Sequence, residues 1–188
     1  MKRLLSDIAT TRFGVHAKRM QTGTMALVQS SAIKENGGIE HAYIDRTDPA
    51  LLSYKEVDLL RKDDVLLIGK GSSSTAALWP GSTEDTVASG MLYVIRPNVE
   101  NLLPAFLAAY LNSRPAQAQM GAMRKIGTVP VLGRQALDQL EIPLPSLQDQ
   151  HNLIRLAQAA QRAKLHLNEL TDAYTQLLDS VWANYPKP

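Results

Sequence analysis

The stretch from Gly69 to Thr75 combines one flexible cation with four hydroxyl groups. Its sequence is Gly69-Lys70-Gly71-Ser72-Ser73-Ser74-Thr75, directly after an apolar run. Lysine, hydroxyl groups and backbone N–H groups are the groups that contact phosphate oxygens and base edges. A solvated serine-rich turn has the same composition. The residue types in this stretch therefore leave both interpretations open.

Two other sets of polar and basic residues could extend such a surface. They are Arg124, Lys125 and Thr128 in one loop, and Arg12, Lys34 and Asn36 as a third cluster. Arginine and lysine fix a protein on phosphates, whereas hydroxyl and amide groups read bases. Because the formal net charge of the chain is only +2, any nucleic-acid surface must be local. Three such segments favour a nucleic-acid surface more than one does.

The sequence offers little for catalysis or metal binding. Its four histidines stand apart from other candidate catalytic residues, and it has no cysteine and no His-Glu-x-x-His pair. The loop after Gly69 resembles a phosphate-binding loop, but the spacing Gly-x-x-x-x-Gly-Lys-Ser/Thr occurs nowhere in the chain. The Asn/Asp-Pro-Pro-aromatic element of amino-methyltransferases is also absent. We therefore expect a protein without catalytic activity of its own and without a metal site.

Composition predicts one globular domain with a further element. A chain of 188 residues can bury one good core. The lack of cysteine excludes disulfides and thiolate metal sites and fits a reducing cytoplasm. The apolar run after Met1 stops at Ser6 and Asp7, too early for a signal peptide, and residues 102–111 are too few to cross a bilayer. We expect a cytoplasmic protein with no membrane partner.

Apolar runs and turn signals predict the elements that position the loops. A buried strand over residues 65–68 leads into the Gly69 loop, and another strand spans residues 91–95. Helices are expected over residues 104–111 and 114–123. We also expect a turn at residues 11–14, a strand over 39–44 after the Asn-Gly turn, and a helix within 50–60. This irregular succession predicts an α+β fold with a mixed sheet.

The end of the chain predicts one long helix with a narrow apolar seam. No glycine or proline interrupts residues 146–181, so we expect a helix of about 36 residues and about 54 Å. Ser146 and Asp149 form a capping box at its start. The seam residues follow at alternating spacings of three and four, as in a heptad repeat; they are Leu153, Leu156, Ala160, Ala163, Leu167, Leu170, Tyr174, Leu177 and Val181.

The width of this seam bears on what the helix packs against. A helix that lies on its own domain usually has a broader apolar face, and Ala160 with Ala163 would allow a second helix to approach closely. We therefore predict pairing with a helix of another chain. Leu165 and Leu178 lie off the seam, so broader packing on the chain's own domain stays open.

The junction before this helix resembles that of type I restriction-modification specificity (S) subunits. Its sequence is Leu140-Glu141-Ile142-Pro143-Leu144-Pro145-Ser146-Leu147-Gln148-Asp149-Gln150. In that family the junction joins a target-recognition domain to a helical conserved region. Further segments match the family's plan in the same order, so the resemblance covers nearly the whole chain; they are Asp64-Val65-Leu66-Leu67-Ile68-Gly69-Lys70-Gly71, Met91-Leu92-Tyr93-Val94-Ile95-Arg96-Pro97, Tyr110-Leu111-Asn112-Ser113 and Gly127-Thr128-Val129-Pro130.

This resemblance implies a target-recognition domain over residues 1–145 and a coiled-coil helix over residues 146–188. A full S subunit has two of each, so the chain resembles a half-subunit or a fragment. Two copies paired through antiparallel helices would restore the two-domain form, and each would read half of a bipartite site in double-stranded DNA. Methyltransferase (M) subunits would dock on the helix or the groove beside it, with restriction (R) subunits as a further partner. S-adenosylmethionine and ATP are expected on those partners and not on this chain.

Two other functions remain compatible with the residues. A coiled-coil scaffold or adaptor would bind no duplex DNA. A small enzyme with a phosphate-containing ligand would bind nucleotide at the loop that begins at Gly69, which a thermal-shift screen would detect.

Overall fold

The computed structural model describes residues 1–20, 22–71, 74–98, 100–125 and 130–185, with Lys125 by its backbone only. Within these ranges a domain of short strands and helices is followed by one long helix. The strands are β1 (Lys2–Leu4), β2 (Ala9–Phe13), β3 (Met25–Val28), β4 (Asp45–Thr47), β5 (Val65–Ile68), β6 (Ala76–Leu78), β7 (Thr86–Ala88), β8 (Leu92–Pro97), β9 (Arg124–Lys125), β10 (Val131–Leu132) and β11 (Glu141–Pro143). The helices are α1 (Leu5–Ile8), α2 (Pro104–Leu111), α3 (Arg114–Met123), α4 (Arg134–Asp138) and α5 (Leu147–Ala183).

Two sheets form the body of the domain. The four-stranded sheet has the order β2-β8-β5-β6 and is antiparallel throughout. In the three-stranded sheet, β3 pairs antiparallel with β4 and parallel with β7. The predicted α+β class with a mixed sheet is confirmed. The predicted strand at residues 65–68 is β5, which lies inside the larger sheet between β8 and β6.

Strand β5 divides the core between its two faces because successive side chains of a strand point to opposite sides. Val65 and Leu67 pack with Phe106 and Leu107 of α2 in the larger cluster. Leu66 packs in a second cluster around Trp79. Helices α2 and α3 lie where the sequence predicted them, each with a proline in its first turn.

Three local predictions are wrong. Residues 11–14 were expected to turn, but Thr11 to Phe13 pair with β8 and complete the edge of the sheet. Residues 39–44 do not return as a strand: Ile39 makes a single bridge, and His41–Tyr43 form a 3-10 turn. In place of a helix within residues 50–60, the structure has the 3-10 turns Pro49–Leu51 and Glu56–Asp58. Long-range pairing and packing override the local signals in these segments.

The first strand pairs with the last one. β1 and β11 are antiparallel, with Arg3 opposite Ile142. The Lys2 ammonium lies 2.7 Å from a Glu141 carboxylate oxygen, and the Leu144 N–H donates to the Met1 carbonyl at 2.9 Å. The start of the chain is thereby fixed beside the segment that enters α5.

Helix α5 is continuous over 37 residues, or about 55 Å at about 1.5 Å per residue. Ser146 is its N-cap, as predicted, and its hydroxyl oxygen accepts a hydrogen bond from the Asp149 N–H at 3.2 Å. Gln150 is fully buried at the base of the helix. Among the described residues no helix has the length and apolar character needed to span a membrane.

The apolar seam of α5 is exposed. Its leucine, tyrosine and valine side chains are between 45% and 68% accessible to solvent, from Leu153 to Tyr174. The side of α5 that meets the domain instead carries Ile154, Ala157 and Gln161, which are half-buried. The seam and the domain-facing side are therefore different surfaces of the same helix.

A groove of about 990 Å³ separates the middle of α5 from the domain. On the domain side it is lined by loop residues and by α2, and on the helix side by Gln161, Lys164 and Leu165 among others. Of the nine seam residues, Ala160 alone lines this groove. Leu165, which the seam leaves out, thus faces the domain side.

Candidate nucleic-acid interface

The structure brings two of the three predicted polar segments together. We call residues 69–75 and 124–132 the paired loops. The Gly71 N–H donates to the Pro130 carbonyl, and the Leu132 N–H donates to the Gly69 carbonyl, both at 3.0 Å. Lys70 and Val131 form an antiparallel bridge between these bonds. These contacts place the residues that follow β5 beside β10, which pairs with β9.

Arg124 ties the paired loops to each other. Its guanidinium donates hydrogen bonds to the Gly71 carbonyl and to the Ser74 hydroxyl. Burial lowers the pKa of Arg124. The side chain of Gln117 on α3 donates to the Ser74 carbonyl at 3.1 Å. Arg124 thus joins Gly71 and the buried Ser74, a positioning role that differs from the DNA contact predicted for Arg124 and Ser74.

The paired loops are locally cationic. They contain Lys70, Arg124 and Lys125 and no aspartate or glutamate, so their charge of +3 exceeds the net charge of +2 of the whole chain. Lys70 and Thr75 are half-buried. Ser72, Ser73 and Thr128 lie outside the described residues, as does the side chain of Lys125. A surface of this charge attracts a polyanion.

A buried tyrosine supports the paired loops from below. The Tyr93 hydroxyl on β8 donates to the Leu132 carbonyl at 2.7 Å. Burial, and then the nearby Asp138 carboxylate, raise the pKa of Tyr93 to about 12. A Cβ atom on Gly69 would lie 2.6 Å from Cε2 of Tyr93, so only glycine allows this approach. The glycine that begins the first loop is therefore required by packing against Tyr93.

Phe13, at the end of β2, stacks on Tyr93 with ring centroids 4.1 Å apart and an interplanar angle of 27°. The Lys70 ammonium lies over the Phe13 ring, 5.6 Å from its centroid. Phe13 is not among the site residues predicted from the sequence, because a turn was predicted at residues 11–14. The available signal was the β-branched and aromatic content of Ala9–Phe13, which favours a strand.

Arg12 lies elsewhere, in a cluster of charges. As the neighbour of Phe13 in β2, it points to the opposite face of the sheet. Its guanidinium nitrogens are 3.9 Å from carboxylate oxygens of Asp58 and Asp64. Asp64 is buried and accepts two hydrogen bonds from Arg96, at 2.6 and 2.7 Å. Burial, followed by the charge of Arg96, lowers the pKa of Arg12. The structure therefore does not bring Arg12 to the paired loops.

Lys34 and Asn36 line the groove beside α5. Lys34 forms an ion pair with Glu40, and their hydrogen bond raises the pKa of Lys34. The Asn36 carbonyl accepts a hydrogen bond from Gln161 of α5. Both side chains are exposed. The third predicted cluster is thus divided between the domain's charged cluster and its junction with the helix.

No protein-family model matches the chain, and no curated protein sequence matches it significantly. Solved structures do. The S subunit of a type I restriction-modification system from M. genitalium aligns with a TM-score of 0.60 at 17% identity, over 96% of this chain and 44% of that one. The HsdS subunit from Thermoanaerobacter tengcongensis gives 0.68 at 20% identity, over 96% and 46%. A chain from work on complex assembly and conformational transition of the type I R-M system gives 0.67 at 15% identity, over 96% and 43%.

These matches run through the domain and the long helix together. The chain spans less than half the length of each of the three matched chains. At identities of 20% or less the likeness is one of fold. The resemblance first read from the junction sequence is confirmed at that level, and the chain has the fold of one half of a type I restriction-modification S subunit.

Proposed function

We propose that this chain is a DNA-sequence-recognition component of a type I-like restriction-modification system, without catalytic activity of its own. The observation that carries the proposal is the joining of two cationic, hydroxyl-bearing loops at the end of β5, in a fold shared with S subunits. Backbone hydrogen bonds already join Gly71 to Pro130 and Leu132 to Gly69, so these residues need little further ordering on binding.

Within this proposal the paired loops contact half of a bipartite site. Lys70 and Lys125 fix the domain on phosphates, and hydroxyl groups of Ser72, Ser73, Thr75 and Thr128 read base edges. Arg124 positions the first loop and does not contact the DNA itself, because its guanidinium is already hydrogen-bonded to Gly71 and Ser74. The charge of the loops supports this division, since phosphate contacts need cations and base contacts need donors and acceptors.

The second half of the site would be read by a second copy of the chain. The exposed seam of α5 supports pairing with another helix, which we place antiparallel so that a domain lies at each end. Two domains on the same face of B-DNA lie about 34–36 Å apart, one helical turn. A helix of about 55 Å is long enough to span that distance.

We further propose that M subunits dock on α5 and on the groove of about 990 Å³ beside it, with R subunits joining the complex. S-adenosylmethionine would bind to the M subunits and ATP to the R subunits. The chain itself would supply the scaffold that holds them at the target sequence.

The decisive experiment is purification of the complex from its host, followed by mapping of methylated bases across the genome. We expect methylation within one bipartite motif, and a palindromic motif if two identical chains pair. In parallel, the purified complex is used to select duplexes from a randomised pool. Loss of the motif on deletion of this chain supports the proposal. A chain whose deletion leaves methylation unchanged, and which enriches no duplex, is an adaptor without DNA binding.

A further inference from the structure

Phe13 is an aromatic residue left partly uncovered next to the paired loops. Its side chain is 37% exposed, although it belongs to a strand of the main sheet. It lies at the end of the sheet where Gly69 begins the first loop, since a Cβ on Gly69 would be 3.7 Å from Cε1 of Phe13. Apolar surface in this position is buried when a ligand covers the loops.

The position of this ring is fixed by the core. Phe13 stacks on Tyr93 at 4.1 Å, and Tyr93 is held by its hydrogen bond to Leu132 and by contact with Gly69. A ring packed against the sheet in this way cannot enter between base pairs as a wedge. The part of Phe13 that stays exposed, 37% of the residue, can contact a small apolar group.

Lys70 places a cation over this ring, with its ammonium 5.6 Å from the Phe13 centroid. A cation next to an apolar contact matches two features of the major groove. Lysine binds the O6 and N7 atoms of guanine, and phenylalanine contacts the 5-methyl group of thymine. The minor groove offers no methyl group, so this pair of side chains is suited to the major groove.

From this geometry we infer that Phe13 is a specificity-determining residue that contacts a thymine 5-methyl group in the major groove, beside the base or phosphate bound by Lys70. The inference rests on the proposed DNA recognition. It adds to that proposal the base that is contacted, the chemical group on that base, and the groove in which the contact is made. It assigns to β2 a part in recognition that the polar loops alone do not provide.

The test uses duplexes selected with the complex that contains the full chain. Each thymine of the recovered motif is replaced in turn by deoxyuridine, which removes only the methyl group. Loss of one buried methyl group should weaken binding by the wild type about three- to fourfold at one position. Phe13→Ala should bind the thymine and deoxyuridine duplexes equally, whereas Phe13→Leu should retain part of the difference.

A matched control is Leu51→Ala, which truncates another exposed apolar side chain in the 3-10 turn Pro49–Leu51. It should keep the full ratio between thymine and deoxyuridine. Because this ratio is measured within each variant, partial unfolding of Phe13→Ala cannot imitate the expected result.

Three results would overturn the inference. Equal ratios in the wild type and in Phe13→Ala, or a recovered motif in which no thymine responds, would remove Phe13 as a reader while DNA recognition stands. Failure of the wild-type complex to enrich any duplex would overturn the proposed function and this inference together.

Discussion

The backbone N–H of Leu103 donates a hydrogen bond of 2.8 Å to the side-chain oxygen of Gln150. Leu103 is the residue before α2, and Gln150 is in the first turn of α5, so this bond joins the two helices. The Gln150 amide nitrogen donates to the carbonyls of Asn101 and Pro145, at 2.7 and 3.0 Å. Gln150 thus forms hydrogen bonds with three backbone groups. These bonds explain physically why the junction sequence contains a glutamine at this position.

Gln150→Ala should destabilise the protein. It removes three part-buried hydrogen bonds made by a fully buried side chain and leaves their backbone partners unpaired, which costs about 2–4 kcal/mol in the free energy of unfolding. Urea unfolding followed by circular dichroism measures this change. Gln148→Ala is the matched control, since that side chain is exposed and should change stability by less than about 0.5 kcal/mol. Equal effects of both variants would contradict a joining role for Gln150.

The seam of α5 should hold two chains together. We expect a dimer at micromolar concentration by light scattering, and a monomer for the double variant Leu167→Asp, Leu170→Asp. Burying the two new carboxylates in a helix pair would be costly. The control Asn168→Asp, Gln176→Asp adds the same charges off the seam and should remain dimeric. A monomeric wild type would remove the homodimer model.

Lys70→Ala should reduce the salt dependence of DNA binding. Each phosphate contact adds about one unit to the slope of log affinity against log salt concentration, so this variant should lower the slope by about one. Lys125→Ala should do the same. Lys62→Ala removes an exposed cation outside the paired loops and should leave the slope unchanged. If neither loop variant alters the slope, these phosphate contacts are wrong.

The stability of the protein should depend on the ionisation of Tyr93. Its pKa is raised to about 12 in the folded protein from an ordinary value of 10.0, so the folded state favours the neutral phenol. The resulting stabilisation is complete below pH 10 and is lost as the pH rises through about 12. The difference in unfolding free energy between wild type and Tyr93→Phe should therefore shrink from pH 9 to pH 11.5. A constant difference would contradict this account.

Asp64→Asn should be strongly destabilising, because it leaves Arg96 and Arg12 without a buried counter-charge. We expect a loss of about 3–5 kcal/mol. Asp63→Asn is the neighbouring control. Asp63 has a φ of +70°, a conformation that asparagine also tolerates, so its replacement should be nearly neutral in urea unfolding. Similar losses at both positions would argue against the charged cluster.

The elements that could be predicted correctly from the sequence are those whose signals come from neighbouring residues. The apolar run at residues 65–68, the proline at the start of α2 and the Ser146 cap each depend on neighbouring residues, and the structure has β5, α2 and α5 there. The turn predicted at residues 11–14 was wrong because the pairing of β2 with β8 depends on residues some eighty positions away in the chain.

The residue types of the candidate site could be predicted from the sequence, but the way in which the fold brings these residues together could not. Lys70 and Arg124 were both recognised as basic loop residues, but their loops meet through backbone bonds that no local pattern encodes. For the same reason Arg12 was grouped with Lys34, since residue type alone does not indicate a buried partner such as Asp64. The part of Phe13 depends on its stacking with Tyr93, which again requires the fold.

The pairing of β1 with β11 determines when the domain can complete its fold during synthesis. The ion pair at this ladder joins residues that are 139 positions apart, so the ladder cannot close until nearly the whole domain has left the ribosome. The residues of the α5 seam are translated after β11. The exposed apolar stripe therefore emerges after β11, when the domain can already fold, which shortens the time in which nascent chains could associate through it before their domains are complete.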